Sequence, residues 1–169
     1  MNQRNQVAET AKAELGYIEG PKDNQTKYQK INQPWCGAFV NWVFKEVGVK
    51  IPNCVSTLAG ATAFKKNKAW QDAESATPEV GDLVFFDFPH DGIDRISHIG
   101  IVINNNNDGT VTTIEGNTVP ERNKKGDQRN GGQVCQRVRA YKKKNRSKLK
   151  VSLPVHIVGF GKPTFKESE

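Results

Sequence analysis

Apolar residues recur at three- and four-residue spacing in the first part of the chain and alternate with polar ones in the second. Val7, Ala8, Ala11 and Leu15 share one helical face within residues 4–15, and Gly16 stops the run, which predicts a first helix. Residues 20–33 are polar and aperiodic and read as a loop. They deliver the chain to Trp35-Cys36-Gly37-Ala38, after which Phe39, Val40, Val43, Phe44 and Val47 mark the buried stripe of a second helix ending at Gly48. Pro52-Asn53-Cys54 breaks the chain, and Ser56 or Thr57 caps a short third helix through Leu58, Ala61 and Phe64. From Gly81 the pattern changes. Residues 82–86, 97–103, 111–115, 134–139 and 155–160 are rich in β-branched and aromatic side chains between turn formers, and each reads as a strand. Helices first and strands afterwards predict an α+β domain, N-terminal helices packed on a mainly antiparallel sheet. A chain of 169 residues suits one such domain, expected over residues 1–162 with a tail at 163–169.

Charge and cysteine content narrow the classes. The net charge of +7 is local: residues 121–150 hold 12 Lys or Arg against 2 acidic residues, so the rest of the chain is net negative. The densest part, Tyr141-Lys142-Lys143-Lys144-Asn145-Arg146-Ser147-Lys148, reads as a solvated loop, a surface for anionic envelope polymers or a nucleic-acid patch. No recognition-helix, zinc-finger or aromatic RNA-binding signature accompanies it, which argues against nucleic acid. Cys36, Cys54 and Cys135 are odd in number and without paired spacing, so reduced thiols are expected rather than a disulfide framework or zinc ribbon. There is no apolar signal-peptide core and no run of membrane-spanning length, so the expectation is a monomer made in a cytoplasm, with no membrane insertion.

The candidate chemistry starts at Cys36. A thiol in the first turn of a helix meets unpaired N–H groups and the positive end of the helix dipole, which favour thiolate below the ordinary pKa of about 8.5. The alternative is a small buried cysteine, and a nearby base decides between them. His90 lies in a turn-rich loop and His156 opens the last strand, whereas His98 leads a strand whose Ile99, Ile101 and Ile103 share the opposite face. Asn104-Asn105-Asn106-Asn107-Asp108-Gly109 signals a hairpin, and a turn symmetric about Asn106 and Asn107 sets His98 opposite Glu115. Opposed residues share a face with Cβ atoms about 4.5–5.5 Å apart, close enough for a carboxylate to fix the imidazole. Asn117 shares that face if the strand persists. An ordinary cross-strand polar pair fits the same pattern, and a register slip of one would separate the groups.

Together these segments resemble the CHAP family, the cysteine- and histidine-dependent amidohydrolases and peptidases of bacterial cell-wall turnover and phage lysis. The resemblance lies in Thr26-Lys27-Tyr28, Pro34-Trp35-Cys36-Gly37-Ala38-Phe39-Val40, Val80-Gly81-Asp82-Leu83-Val84-Phe85-Phe86, Ser97-His98-Ile99-Gly100-Ile101-Val102 and Ile114-Glu115-Gly116-Asn117-Thr118, in that order. It implies a papain-like fold with Cys36 as nucleophile, His98 as general base and acid, Glu115 orienting His98, and Asn117 in the same catalytic site. It also implies substrate contacts at Tyr28 and Trp35. The implied reaction is hydrolysis of an amide bond of peptidoglycan through a thioester, either between muramic acid and the stem peptide or within stem or cross-bridge. Some relatives bind calcium in an acidic loop before the nucleophile. Asp23-Asn24-Gln25-Thr26 holds one carboxylate there, so no metal and no cofactor is expected. The implied role is that of a phage endolysin acting at the wall after release, with a secreted antibacterial effector as the alternative. NlpC-type peptidases share the fold and the chemistry. A non-catalytic basic module binding envelope polymer or nucleic acid is the reading of a different class.

Overall fold

The computed structural model describes residues 1–123, 125–149 and 155–166. Three helices come first: α1 (Gln3–Ala13), α2 (Cys36–Val47) and α3 (Thr57–Lys66). Asn2 caps α1 by accepting from Asn5 N at 2.9 Å, and Val7, Ala8 and Ala11 form its buried face. The helix stops two residues before the expected end, so Leu15 falls off that face and is exposed. Ser56, not Thr57, caps α3, because the Thr57 hydroxyl is buried against Ile96 O. Leu58 faces solvent while Ala61 and Phe64 pack inward.

Six strands follow: β1 (Trp70–Asp72), β2 (Leu83–Asp87), β3 (His98–Asn105), β4 (Thr110–Thr118), β5 (Gln133–Ala140) and β6 (His156–Gly161). They form one sheet in the order β1-β6-β2-β3-β4-β5, every neighbouring pair antiparallel. The three residues of β1, too few for a periodic signal, join the edge by pairing with Gly159, Phe160 and Gly161. One sheet face carries Leu83, Phe85, Ile99, Ile101 and Ile114 against Phe39, Val40, Val43 and Phe44 of α2. The other face is also buried, around Val84, Phe86, Phe88, Val102, Val111, Ile157 and Phe160. Every residue of β2 is therefore buried, unlike a strand with one wet face.

That second face changes the meaning of the basic run. Arg137 and Arg139 point into it and are almost wholly buried, so they are not part of any cationic surface. β5 carries the chain between Arg122 and Lys125 in the β4–β5 loop, at the end of the sheet where His98 lies, and Lys143 and Lys144 at the other end; these four residues are exposed.

Residues 162–166 are packed rather than trailing. Phe165 packs beside Phe44 with ring centroids 6.3 Å apart, and the Arg4 guanidinium lies 4.5 Å from the centre of its ring. Lys162 and Arg4 both pair with the buried carboxylate of Asp82, clamping the two ends of the chain to the start of β2. The expected tail is thus part of the domain through residue 166. Among the described residues no helix is long and apolar enough to cross a membrane.

Candidate active site

Cys36 is the first residue of α2 and is 5% exposed. Trp35 precedes it as the N-cap, and no side chain caps the helix. Phe39 N–H donates to Trp35 O at 2.9 Å, and the first-turn N–H groups before it lie in the same turn as the thiol with no side-chain cap. The start of α2 is held from below. Trp35 has no exposed surface, stacks on Tyr28 at 5.5 Å and donates Nε1–H to Glu19 Oε2 at 2.6 Å. Tyr28 contacts Phe39 and Trp42 as well and donates its hydroxyl to Glu14 Oε2 at 2.5 Å. Burial and Glu14 push the Tyr28 phenol well above the usual tyrosine range, so it stays protonated. The expectation that Tyr28 and Trp35 meet substrate gives way to burial: both form the bed of α2 beneath Cys36. Gly116 completes that bed, since a Cβ there would lie 2.7 Å from Phe39 Cβ and 3.0 Å from Trp35 Cζ3. Only glycine lets α2 lie directly on β4.

His98 and Glu115 are both fully buried, with Nε2 2.8 Å from Oε1. The pair forms in a register other than the symmetric one. The turn closes with Asn106 N donating to Thr110 O and pairs Asn105 with Val111 and Asn104 with Thr112, and an irregularity between Val102 and Asn104 then sets Val102 opposite Thr113 and Ile101 opposite Ile114. Continued one step, this register sets Gly100 level with Glu115 and leaves Glu115 diagonal to His98. The slip is two residues, so both side chains keep the same face. Gly100 makes the diagonal reachable: a Cβ there would sit 2.7 Å from Glu115 Cγ.

The surroundings of Glu115 were not foreseen. Arg139 grips it with both arms of the guanidinium, Nη2 to Oε1 at 2.6 Å and Nε to Oε2 at 2.9 Å, and Thr113 donates to Oε2 at 2.6 Å. The signal lay in β5, where Cys135 pairs with Glu115 and Arg137 with Thr113, putting Cys135, Arg137 and Arg139 on the Glu115 face. Burial by itself would raise the Glu115 pKa, but the Arg139 charge and the hydrogen bonds from Arg139 and His98 outweigh it and hold the carboxyl well below its usual range. For His98 burial acts downward, and interactions with Cys36 and Glu115 overcome it, raising the ring to about 9. Its Nδ1 is buried and has no hydrogen-bond partner among the described residues, and Cys36 is a neighbour that interacts with the ring. The arrangement can hold an imidazolium beside a thiolate and pass a proton between the cysteine and a bound leaving group.

Asn117 is buried at φ +57°, past a bulge that ends the regular β4 pairing. Its amide donates to Asn130 Oδ1 at 2.9 Å and accepts from Gly132 N at 3.0 Å, so its visible work is to tie the β4–β5 loop to the end of β4. His90 is exposed in the β2–β3 loop, and His156 begins β6 with its pKa lowered by burial and by Arg146. Cys54 is fully buried and donates to Pro52 O, and burial pushes its thiol up to about 12 and that of Cys135 up to about 11. The expected consequence is an order of reactivity: near neutral pH iodoacetamide should label Cys36 well before Cys54 or Cys135, as read by peptide mapping.

A helix-borne cysteine, a strand-borne histidine and a carboxylate behind it, on helices packed against an antiparallel sheet, define a papain-like cysteine hydrolase. Residues 27–117, more than half of the chain, match the CHAP domain, and the chain belongs to that family. Solved structures with the same fold include NlpC1 and NlpC2 of Trichomonas vaginalis, with TM-scores of 0.57 and 0.56. Each is 14% identical to this chain, covering 98% of it but 45% and 48% of the respective NlpC chains, so this chain spans about half their length. No curated protein matches the chain significantly.

Proposed function

We propose that the chain cleaves an amide bond of peptidoglycan, with Cys36 as nucleophile and His98 as base and acid. The observation that carries this reading is the buried His98–Glu115 pair beside a cysteine at an uncapped helix start, in a chain of the CHAP family. His98 takes the Cys36 proton, and the thiolate attacks the carbonyl carbon. The oxyanion is met by first-turn N–H groups of α2, including that of Cys36. His98 protonates the departing amine as the C–N bond breaks. Water, deprotonated by His98, then opens the thioester and releases the carboxylate product. Glu115 touches no substrate in this scheme. It keeps Nε2 of His98 protonated, so that Nδ1 is the basic atom towards the thiol.

Mass spectrometry of digested peptidoglycan tests the reading. Stem peptides with a new L-alanine amino end mark an amidase, and cut stems or cross-bridges mark an endopeptidase. Intact material after prolonged digestion would remove peptidoglycan as the substrate. The role that goes with this chemistry is host lysis by a phage lysin made in the host cytoplasm and acting on the wall. A holin gene beside the coding sequence supports it, and an immunity gene would favour a secreted effector.

The exposed Arg122, Lys125, Lys143 and Lys144 support a second part of the proposal, electrostatic attachment to anionic envelope polymers. Screening shortens from about 30 Å at 0.01 M salt to about 8 Å at 0.15 M. Wall binding should weaken over that range in a sedimentation assay, and binding indifferent to salt would refute the attachment.

A further inference from the structure

The carboxylate behind His98 has every acceptor direction occupied. Oε1 takes His98 Nε2 and Arg139 Nη2, and Oε2 takes Thr113 Oγ1 and Arg139 Nε, all within 2.6–2.9 Å. Two parallel bonds from one planar guanidinium fix the plane of a carboxylate, which a single hydrogen bond cannot do. Arg139 is itself fixed. Its guanidinium lies 5.1 Å from the centre of the Phe86 ring, and that ring also packs against His98 at 5.4 Å. Its remaining arm, Nη1, donates to Gln128 Oε1 at 2.6 Å. The same oxygen accepts from Arg137 Nη2 at 2.9 Å, and Arg137 Nη1 donates to Val119 O at 2.7 Å. Gln128 belongs to the β4–β5 loop, yet it is buried.

We propose that Arg139 is the positioning residue of this site: its fork holds Glu115 ionised and aimed at His98, and Gln128 ties that fork to the β4–β5 loop. The inference rests on the reading of Cys36 and His98 as a working pair. The charged or titratable groups facing the carboxylate and the imidazole are His98 from β3, Arg139, Arg137 and Cys135 from β5, and Cys36 from α2. Removing the Arg139 cation makes both the carboxylate and the imidazole take up protons at higher pH. Replacing it by lysine keeps the cation and loses the fork.

The test is the rate of Cys36 alkylation by iodoacetamide against pH, read by peptide mapping together with wall hydrolysis, in wild type, His98→Ala, Arg139→Met and Arg139→Lys. Arg139→Met should shift the whole alkylation profile to higher pH. Arg139→Lys should leave the profile in place but lower kcat by about 10²-fold, the scale expected from a misplacement of about 1 Å. If Arg139→Met superimposes on wild type while His98→Ala does not, the positioning role is wrong and the Cys36–His98 pair stands. A His98→Ala profile identical to wild type overturns the pair itself. Should Arg139→Met fail to fold, the lysine variant decides alone, because wild-type kcat in Arg139→Lys overturns the proposal. Gln128→Ala, which spares both charges, should lower kcat without moving the profile, and unchanged kcat there overturns the tie to the loop.

Discussion

Glu115→Gln is expected to cost the enzyme about 10⁴-fold in kcat, the scale seen when the carboxylate of a Ser-His-Asp triad becomes an amide. A glutamine amide facing Nε2 turns that nitrogen into an acceptor, which moves the proton to Nδ1, the nitrogen that must receive one from Cys36. The same change strikes stability, because Arg139 is 2% exposed and Glu115 is the carboxylate it pairs with. Leaving a buried charge unpaired costs about 3–5 kcal/mol, a large part of the roughly 5–15 kcal/mol that holds a domain folded. At about 2–4 °C per kcal/mol for a chain of this size, the melting temperature should fall by about 10 °C.

The pH dependence of that loss has a definite sign. Raised to about 9 in the fold, His98 contributes stability that is complete below its unfolded pKa of about 6.5 and is lost as the pH climbs to about 9. Glu115, held below its usual range, contributes stability present above about pH 4.3 and lost as the pH falls through its folded pKa. The variant lacks the second contribution and weakens the first. Its melting temperature should therefore vary less than that of wild type between about pH 6.5 and 9. A variant that melts and turns over like wild type would mean that Glu115 is an ordinary buried polar residue.

How much of this site could be read from sequence depended on which errors geometry forgives. The helical stripe after Cys36 and the isoleucine stripe after His98 are strong periodic signals, and α2 and β3 formed where those signals lay. The hairpin register was off by three residues at the turn and, past the irregularity between Val102 and Asn104, by two, so His98 and Glu115 still met, because side-chain direction in a strand repeats every two residues. A slip of one would have separated them. What stayed hidden needed knowledge of the second sheet face. Arg137 and Arg139 alternate with Gln136 and Val138, a pattern that reads as polar side chains facing water, but in the fold Gln136 faces solvent and the arginines face the core. Inverted polarity of that kind is intelligible only once Glu115 is seen to be buried opposite. Tyr28 and Trp35 misled for a related reason, since an aromatic beside a nucleophile can support the nucleophile from below as well as greet a substrate. Their hydrogen bonds to Glu14 and Glu19, residues from the first helix's end and the following loop, carry no periodic mark in sequence.

The buried charges also fix what the scaffold must do. Two arginines, one glutamate and one histidine occupy the sheet face away from α2, where each polar atom left without a partner is costly. Gln128 and the Val119 carbonyl take up donors that Glu115 cannot, so the β4–β5 loop is built into the site rather than draped over it. Among the described residues of this network Arg137 Nε is the arginine donor left without a partner, and the remaining guanidinium bonds make the network a rigid mount for an imidazole.

Cys36→Ala removes the one atom on which the mechanism turns. The side chain is small and sits at a helix end, so the variant should fold and melt close to wild type. Loss of a nucleophile from a working catalytic unit lowers kcat by about 10⁶-fold, beyond the reach of ordinary wall-hydrolysis assays. The decisive measurement is the release of new amino ends from purified peptidoglycan by wild type and Cys36→Ala side by side, with the melting temperature of each recorded. Release by wild type and none by a folded variant is the predicted result; equal release by both would contradict a cysteine hydrolase acting through Cys36.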